Sequence, residues 1–212
     1  MAMGARALET VRRGVGYAQQ AFAGSEAAQA QLSLPERTLF ALQLGVFDSE
    51  QRAMEQAKRL QAGGAACIIW RGEKLRLVSD ASFLHEKLDA GAAKEYDTYV
   101  YQEIIPSVTL RLSADAKALA DVKNLLTLPD GILIRLTQEQ EEPLDTLVDQ
   151  VRRTAEEAAF AHPENTLYTQ LAQSLINWCG LMEEHIQERD AYSYARATMG
   201  ALCRELRRAL SA

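Results

Sequence analysis

The 212-residue chain predicts an α+β fold, an antiparallel sheet with interspersed helices followed by a helical C-terminal region. Three observations predict it. Residues 40–47, Phe-Ala-Leu-Gln-Leu-Gly-Val-Phe, read as a strand, and Asp48 and Ser49 follow where a helix is capped. From Thr38 to Thr137 the apolar period switches repeatedly between 2 and 3.6. Beyond Thr137 the strand signals stop and three stretches with helical stripes follow.

Taken in order, residues 1–37 form a helical or linker segment, with juxtamembrane character. Leu8, Val11, Val15, Ala18 and Phe22 make one helical stripe within residues 5–31. Gly14 and Gly16 weaken it, by about 1 kcal/mol each relative to alanine, and Leu34-Pro35 closes it. Residues 38–137 form the α+β domain. Its first unit is a strand at 39–47, a helix at 49–62 with Ala53, Met54, Ala57 and Leu60 on one face, and a strand at 65–70. Arg71-Gly72-Glu73 turns into a strand from Lys74 to Val78. A short helix with Phe83, Leu84 and Leu88 inward ends at Gly91, and a strand from Tyr96 to Ile105 is stopped by Pro106.

A second strand–helix–strand unit is expected next. Ser107–Leu112 is its strand, Ser113 or Asp115 its cap, and Leu119, Val122, Leu125 and Leu126 its helical stripe. Pro129-Asp130-Gly131 then turns into a strand at Ile132–Leu136. Residues 138–212 are the C-terminal helical region. Gln138–Glu142 is a polar linker, and Pro143 opens a helix carrying Leu144, Leu147, Val148, Val151 and Ala155. His162-Pro163 breaks it. A second helix over 164–187 carries Leu167, Leu171, Trp178 and Met182, and a third over 191–210 carries Thr198, Leu202 and Leu206. These helices either bury one another or lie on the sheet. Trp178 is expected in the core, and Arg204, Arg207 and Arg208 to complement a helix C-terminus.

Composition narrows the function classes. A net charge of -6 opposes non-specific binding to nucleic acid or anionic lipid. No apolar run approaches the ~18–20 residues that span a bilayer, and no secretory signal with a cleavage site is present. Cys67, Cys179 and Cys203 are an odd, scattered set, expected as buried small hydrophobes. His85, His162 and His185 have no metal spacing, and Glu183-Glu184-His185 lacks the second histidine of a zinc-hydrolase helix. There is no phosphate-cradling loop and no nucleophile elbow. The expectation is a non-enzymatic protein without cofactor or metal. The basic, aromatic strand signature of RNA-recognition sheets is absent too.

Phe40, Gln43, Leu44, Gly45 and Phe47 fit an aromatic-x-x-Gln-hydrophobic-Gly-x-Phe strand. With the elements that follow it, the stretch from Thr38 to about Glu103 resembles the SPOR (sporulation-related repeat) family. The resemblance implies a ferredoxin/RNP-like βαββαβ sheet with one face under helices and the other open to peptidoglycan glycan strands lacking stem peptides. In strand alternation Phe40, Leu42, Leu44 and Val46 share one side, and Ala41, Gln43, Gly45 and Phe47 the other. The resemblance puts Gln43, Gly45 and Phe47 in the glycan-binding set, and alternation with aromatic chemistry adds Arg76, Tyr99, Tyr101 and Trp70, the alternatives being that Trp70 packs across its hairpin and that the C-terminal helices cover the tyrosines. Val46 stands where many members carry a small hydroxyl residue, and Val78-Ser79-Asp80-Ala81-Ser82 replaces a second Gly-x-Phe. The function implied is non-catalytic glycan binding in bacterial cell division or sporulation, outside the cytoplasm, tethered by an N-terminal anchor. A protein partner is expected at the C-terminal helices. The alternative is a protein–protein scaffold whose sheet face is buried by helices or a partner.

Overall fold

A computed structural model describes residues 28–114, 116–138, 143–161 and 166–211. It is an α+β structure: two antiparallel sheets with one helix among their strands, then four helices. The strands are β1 (Ala28–Leu34), β2 (Arg37–Phe47), β3 (Ile68–Trp70), β4 (Leu75–Ser82), β5 (Tyr99–Ile105) and β6 (Val108–Ala114). The helices are α1 (Glu50–Ala62), α2 (Ala116–Thr137), α3 (Leu144–Ala161), α4 (Thr166–His185) and α5 (Ala191–Ser211). The larger sheet has the order β3-β4-β2-β5, and β1 pairs with β6 in a separate ribbon. Among the described residues no helix is long and apolar enough to cross a membrane.

Three expectations are corrected. Residues 28–31 belong to a strand, because Ala-Gln-Ala-Gln-Leu-Ser-Leu alternates. Leu32 and Leu34 are buried while Gln31 and Ser33 face solvent. The remainder of the expected N-terminal helix lies outside the described residues, as do Asp115 and the His162-Pro163 break. The second strand–helix–strand unit is not formed, since Ile132–Leu136 continues α2. Val122, Leu125, Leu126, Ile132, Leu133 and Leu136 are all buried, which extends one helical stripe straight through Pro129. A short apolar run reads equally well as strand or buried helix; here the flanking stripe decides. Finally, the helix expected after Ser82 is two 3-10 turns, His85–Lys87 and Gly91–Glu95, and Leu84 is exposed.

The first unit forms with two corrections: its second strand is shortened to Ile68–Trp70, and Met54 is exposed rather than on the buried face of α1. Ala57 and Leu60 pack against Ala65, Cys67 and Leu77, with Leu44, Phe47 and Tyr96 at the margin, and Ala53 is buried as well. Ser49 is the N-cap but its hydroxyl makes no capping bond, and Asp48 pairs with Lys74 instead. Gly64, at φ 86, takes the left-handed conformation that lets the chain turn back into β3.

The larger core lies on the opposite side of the sheet. Leu39, Ala41, Trp70, Val78 and Ala81 pack there with α2, α3, α4 and α5. Of the three C-terminal helices left open by the sequence, α5 lies on the sheet, mainly across β4, while α3 and α4 pack on each other. Trp178 is buried and donates from Nε1 to Thr198 Oγ1 at 3.0 Å. The open side anticipated for the sheet is therefore partly occupied by the chain itself.

Candidate functional site

Two irregularities in β2–β4 pairing decide which residues share a face. The register shifts between Leu42 and Gln43 and again between Gln43 and Gly45. Ala41 pairs with Ala81 and Gln43 with Val78, so those four share the α5 side. The second shift, at Leu44, puts Gly45 opposite Leu77 and Phe47 opposite Leu75. Phe47 then packs beside Leu60 and Leu77 in the α1 core. A bulge inserts one residue and reverses the alternation beyond it. Gly45 and Phe47 are accordingly not on the side of Gln43, a correction to the expected alternation, and Val46 replaces them there, opposite Arg76 and 44% exposed.

On the side of Gln43 the structure brings together four of the expected residues. Tyr99 faces Gln43 across β2–β5, and Tyr101 faces Ala41. Arg76 donates from Nη1 to Gln43 Oε1 at 2.7 Å, and its guanidinium carbon stands 4.0 Å from the centroid of the Tyr101 ring. That distance is within cation–π range. Tyr101 donates its hydroxyl proton to Glu103 Oε2 at 3.2 Å. Tyr99 is 64% exposed, while Gln43, Arg76 and Tyr101 are half-buried. The result is a shallow row of amide, guanidinium and two phenol rings.

Trp70 stands apart. It is 1% exposed, donates from Nε1 to the Ala197 carbonyl at 3.1 Å, and lies under the Arg204 guanidinium at 4.6 Å. No ligand reaches it without moving α5.

Three arginines of α5 tie that helix to the sheet side. Arg196 grips Asp80 with two bonds, Nε to Oδ1 at 2.7 Å and Nη2 to Oδ2 at 2.8 Å. Burial pushes the Asp80 carboxyl up from the ordinary carboxylate range, against the pull of Arg196 and the N–H groups of Asp89 and Ala81. Arg204 donates from Nε to Glu103 Oε2 at 2.8 Å, and Arg208 from Nη2 to Glu103 Oε1 at 2.7 Å. Arg207 reaches Asp130 in α2 at 2.7 Å and the Pro35 carbonyl at 2.9 Å. The basic cluster near the C-terminus thus forms tertiary ion pairs, and Arg208 also stands in the last turn of α5, where a cation complements the helix dipole. Sequence reasoning missed Glu103, although strand alternation places it beside Tyr99 and Tyr101.

Among the described residues no group of His, Cys, Asp or Glu could hold a metal ion. The three cysteines are buried and unpaired by disulfides. Compared with family models, curated proteins and solved structures, the chain matches none.

Proposed function

We propose that this chain is a divergent, non-catalytic SPOR-like module that holds glycan strands of bacterial peptidoglycan against the uncovered part of its sheet. The observation that carries the reading is the row Gln43, Arg76, Tyr101 and Tyr99 on one side of β2, β4 and β5. Sugar rings offer flat apolar faces edged with hydroxyls, and phenol rings beside amide and guanidinium donors match both features. Arg76 already engages the carbonyl of Gln43, so the Gln43 amide meets a sugar mainly as a donor. Strand order adds support. The order β3-β4-β2-β5, with the first strand of the unit between the third and fourth, supports the reading in strand order alone, since 3-10 turns stand where a βαββαβ unit carries its second helix.

Cosedimentation with purified sacculi stripped of stem peptides tests this reading. The chain should pellet with the glycan, and Tyr99→Ala and Gln43→Ala should each reduce the bound fraction several-fold without changing the melting temperature. A folded wild-type chain left wholly in the supernatant would overturn it.

One observation favours a second reading. Helix α5 buries Trp70, Ala41 and Ala81, which belong to the same sheet side. A module whose face is filled by its own helix is a scaffold for other proteins. Retention failing on sacculi in a well-folded chain is the outcome that reading expects.

A further inference from the structure

The row on β2, β4 and β5 holds a positive charge that its own chain does not balance. Nearby, Arg71 pairs with Glu50, while Arg204 and Arg208 pair with Glu103 and Glu205. Arg76 pairs with no carboxylate among the described residues. It is held by neutral groups alone, the Gln43 side-chain carbonyl and the Tyr101 ring. Glu103 cannot serve it, because both carboxylate oxygens are occupied. Arg204 and the Tyr101 hydroxyl bond to Oε2, and Arg208 bonds to Oε1. A half-buried guanidinium without a counterion has lost hydration that no local charge offsets. None of its nitrogens is sealed from solvent without a partner, so its remaining donors stay within reach of a ligand. Nη1 holds Gln43, which leaves the Nε–Nη2 edge. That edge presents parallel N–H groups at the spacing of a carboxylate.

We infer, resting on the glycan-binding reading, that Arg76 makes the row selective for acidic sugars. The ligand's carboxylate takes the Nε–Nη2 edge of Arg76 while a sugar ring lies on exposed Tyr99 and the Gln43 amide donates to a hydroxyl. A neutral polysaccharide leaves the cation unpaired and gains only the ring contact and hydroxyl bonds. Cleaving the amide link of a stem peptide frees a carboxylate on the sugar that bore it, so a stripped glycan carries such groups along its length. The net charge of -6 does not forbid this. Repulsion from distant charges is screened beyond about 8 Å at physiological salt, whereas the carboxylate touches Arg76 directly.

Stripped sacculi supply both arms of the test, one portion with its carboxylates free and the other with them capped as neutral methylamides. The wild-type chain should bind the free form about tenfold more tightly, the size of one charge-assisted pair. Arg76→Gln should bind both portions alike, as weakly as wild type binds the capped one. Arg76→Lys, which keeps the charge and loses the fork, should fall between. Equal binding of both portions by wild type would overturn the selectivity and leave glycan binding standing, whatever the substitutions do to folding. A folded Arg76→Gln that still prefers the free form would overturn the assignment to Arg76. Binding of wild type to neither portion would overturn the selectivity and the glycan reading together.

Discussion

At the scale of single residues, the strongest local statement concerns Asp80. Its carboxylate is fully buried in β4 and held by Arg196, itself 7% exposed, together with the amides of Ala81 and Asp89. Desolvating both charges is costly, and their attraction compensates only while both remain. Asp80→Ala should destabilise the chain by about 3–5 kcal/mol, because it strands a guanidinium among apolar side chains. Lys74→Ala removes an exposed pair with Asp48 and should cost no more than ~1 kcal/mol. Urea midpoints of the two variants check the contrast, and equal losses would refute it. The same pair explains why β4 runs four residues past its expected end. Ser79-Asp80-Ala81-Ser82 has the composition of a turn, yet a partner 116 residues away neutralises its charge.

At the scale of elements, the seat of α5 on the sheet makes an unusual glycine prediction. A Cβ at Gly200 would stand 2.8 Å from Ala81 Cβ and 3.1 Å from Trp70 Cζ2. Alanine normally stabilises a helix interior over glycine by about 1 kcal/mol. Here the overlap falls on a strand Cβ and a fully buried indole, and overpacking of ~1–3 kcal/mol outweighs the propensity gain. Gly200→Ala should lower the melting temperature. Gly131→Ala in α2 and Gly180→Ala in α4, with nothing near the added methyl, should raise it. A rise in all three would mean that α5 does not sit tightly on β4. Periodicity alone revealed β2, α1, β5 and the last three helices, because each has a long stripe of its own. It failed at Ile132–Leu136, where four apolar residues around Arg135 fit both periods. It also failed at Gly45 and Phe47, since a bulge is a feature of pairing and leaves no trace in one strand. That Gln43, Arg76, Tyr99 and Tyr101 share one side of neighbouring strands was legible from strand alternation. That α5 is what covers Trp70 was not, because it depends on where a helix over a hundred residues later comes to rest.

At the scale of the whole molecule, the thiols link packing to pH. Cys67 lies in the core under α1, with Sγ 3.8 Å from the Ala57 carbonyl oxygen; Cys179 joins α4 to α3, 3.5 Å from the Val148 carbonyl oxygen. Burial pushes both up to about 12 from an ordinary 9.0, and burial also carries the Tyr194 phenol up to about 12 from 10.0. Buried Cys203 moves in the same direction. Each folded value exceeds its unfolded one, so between pH 9 and 12 the unfolded chain holds fewer protons and stability falls as pH rises. The contribution is complete below pH 9 and is lost progressively above it. One unit above the ordinary value, each of these two thiols should remove about 1.4 kcal/mol. Urea midpoints should therefore fall steeply from pH 8 to pH 10, and Cys179→Ala should make the fall shallower by one thiol's share. At pH 8 the folded chain should resist a thiol reagent that labels all three cysteines in urea. A midpoint that stays level to pH 10, or prompt labelling of the folded chain, would mean that at least one of these cores admits water.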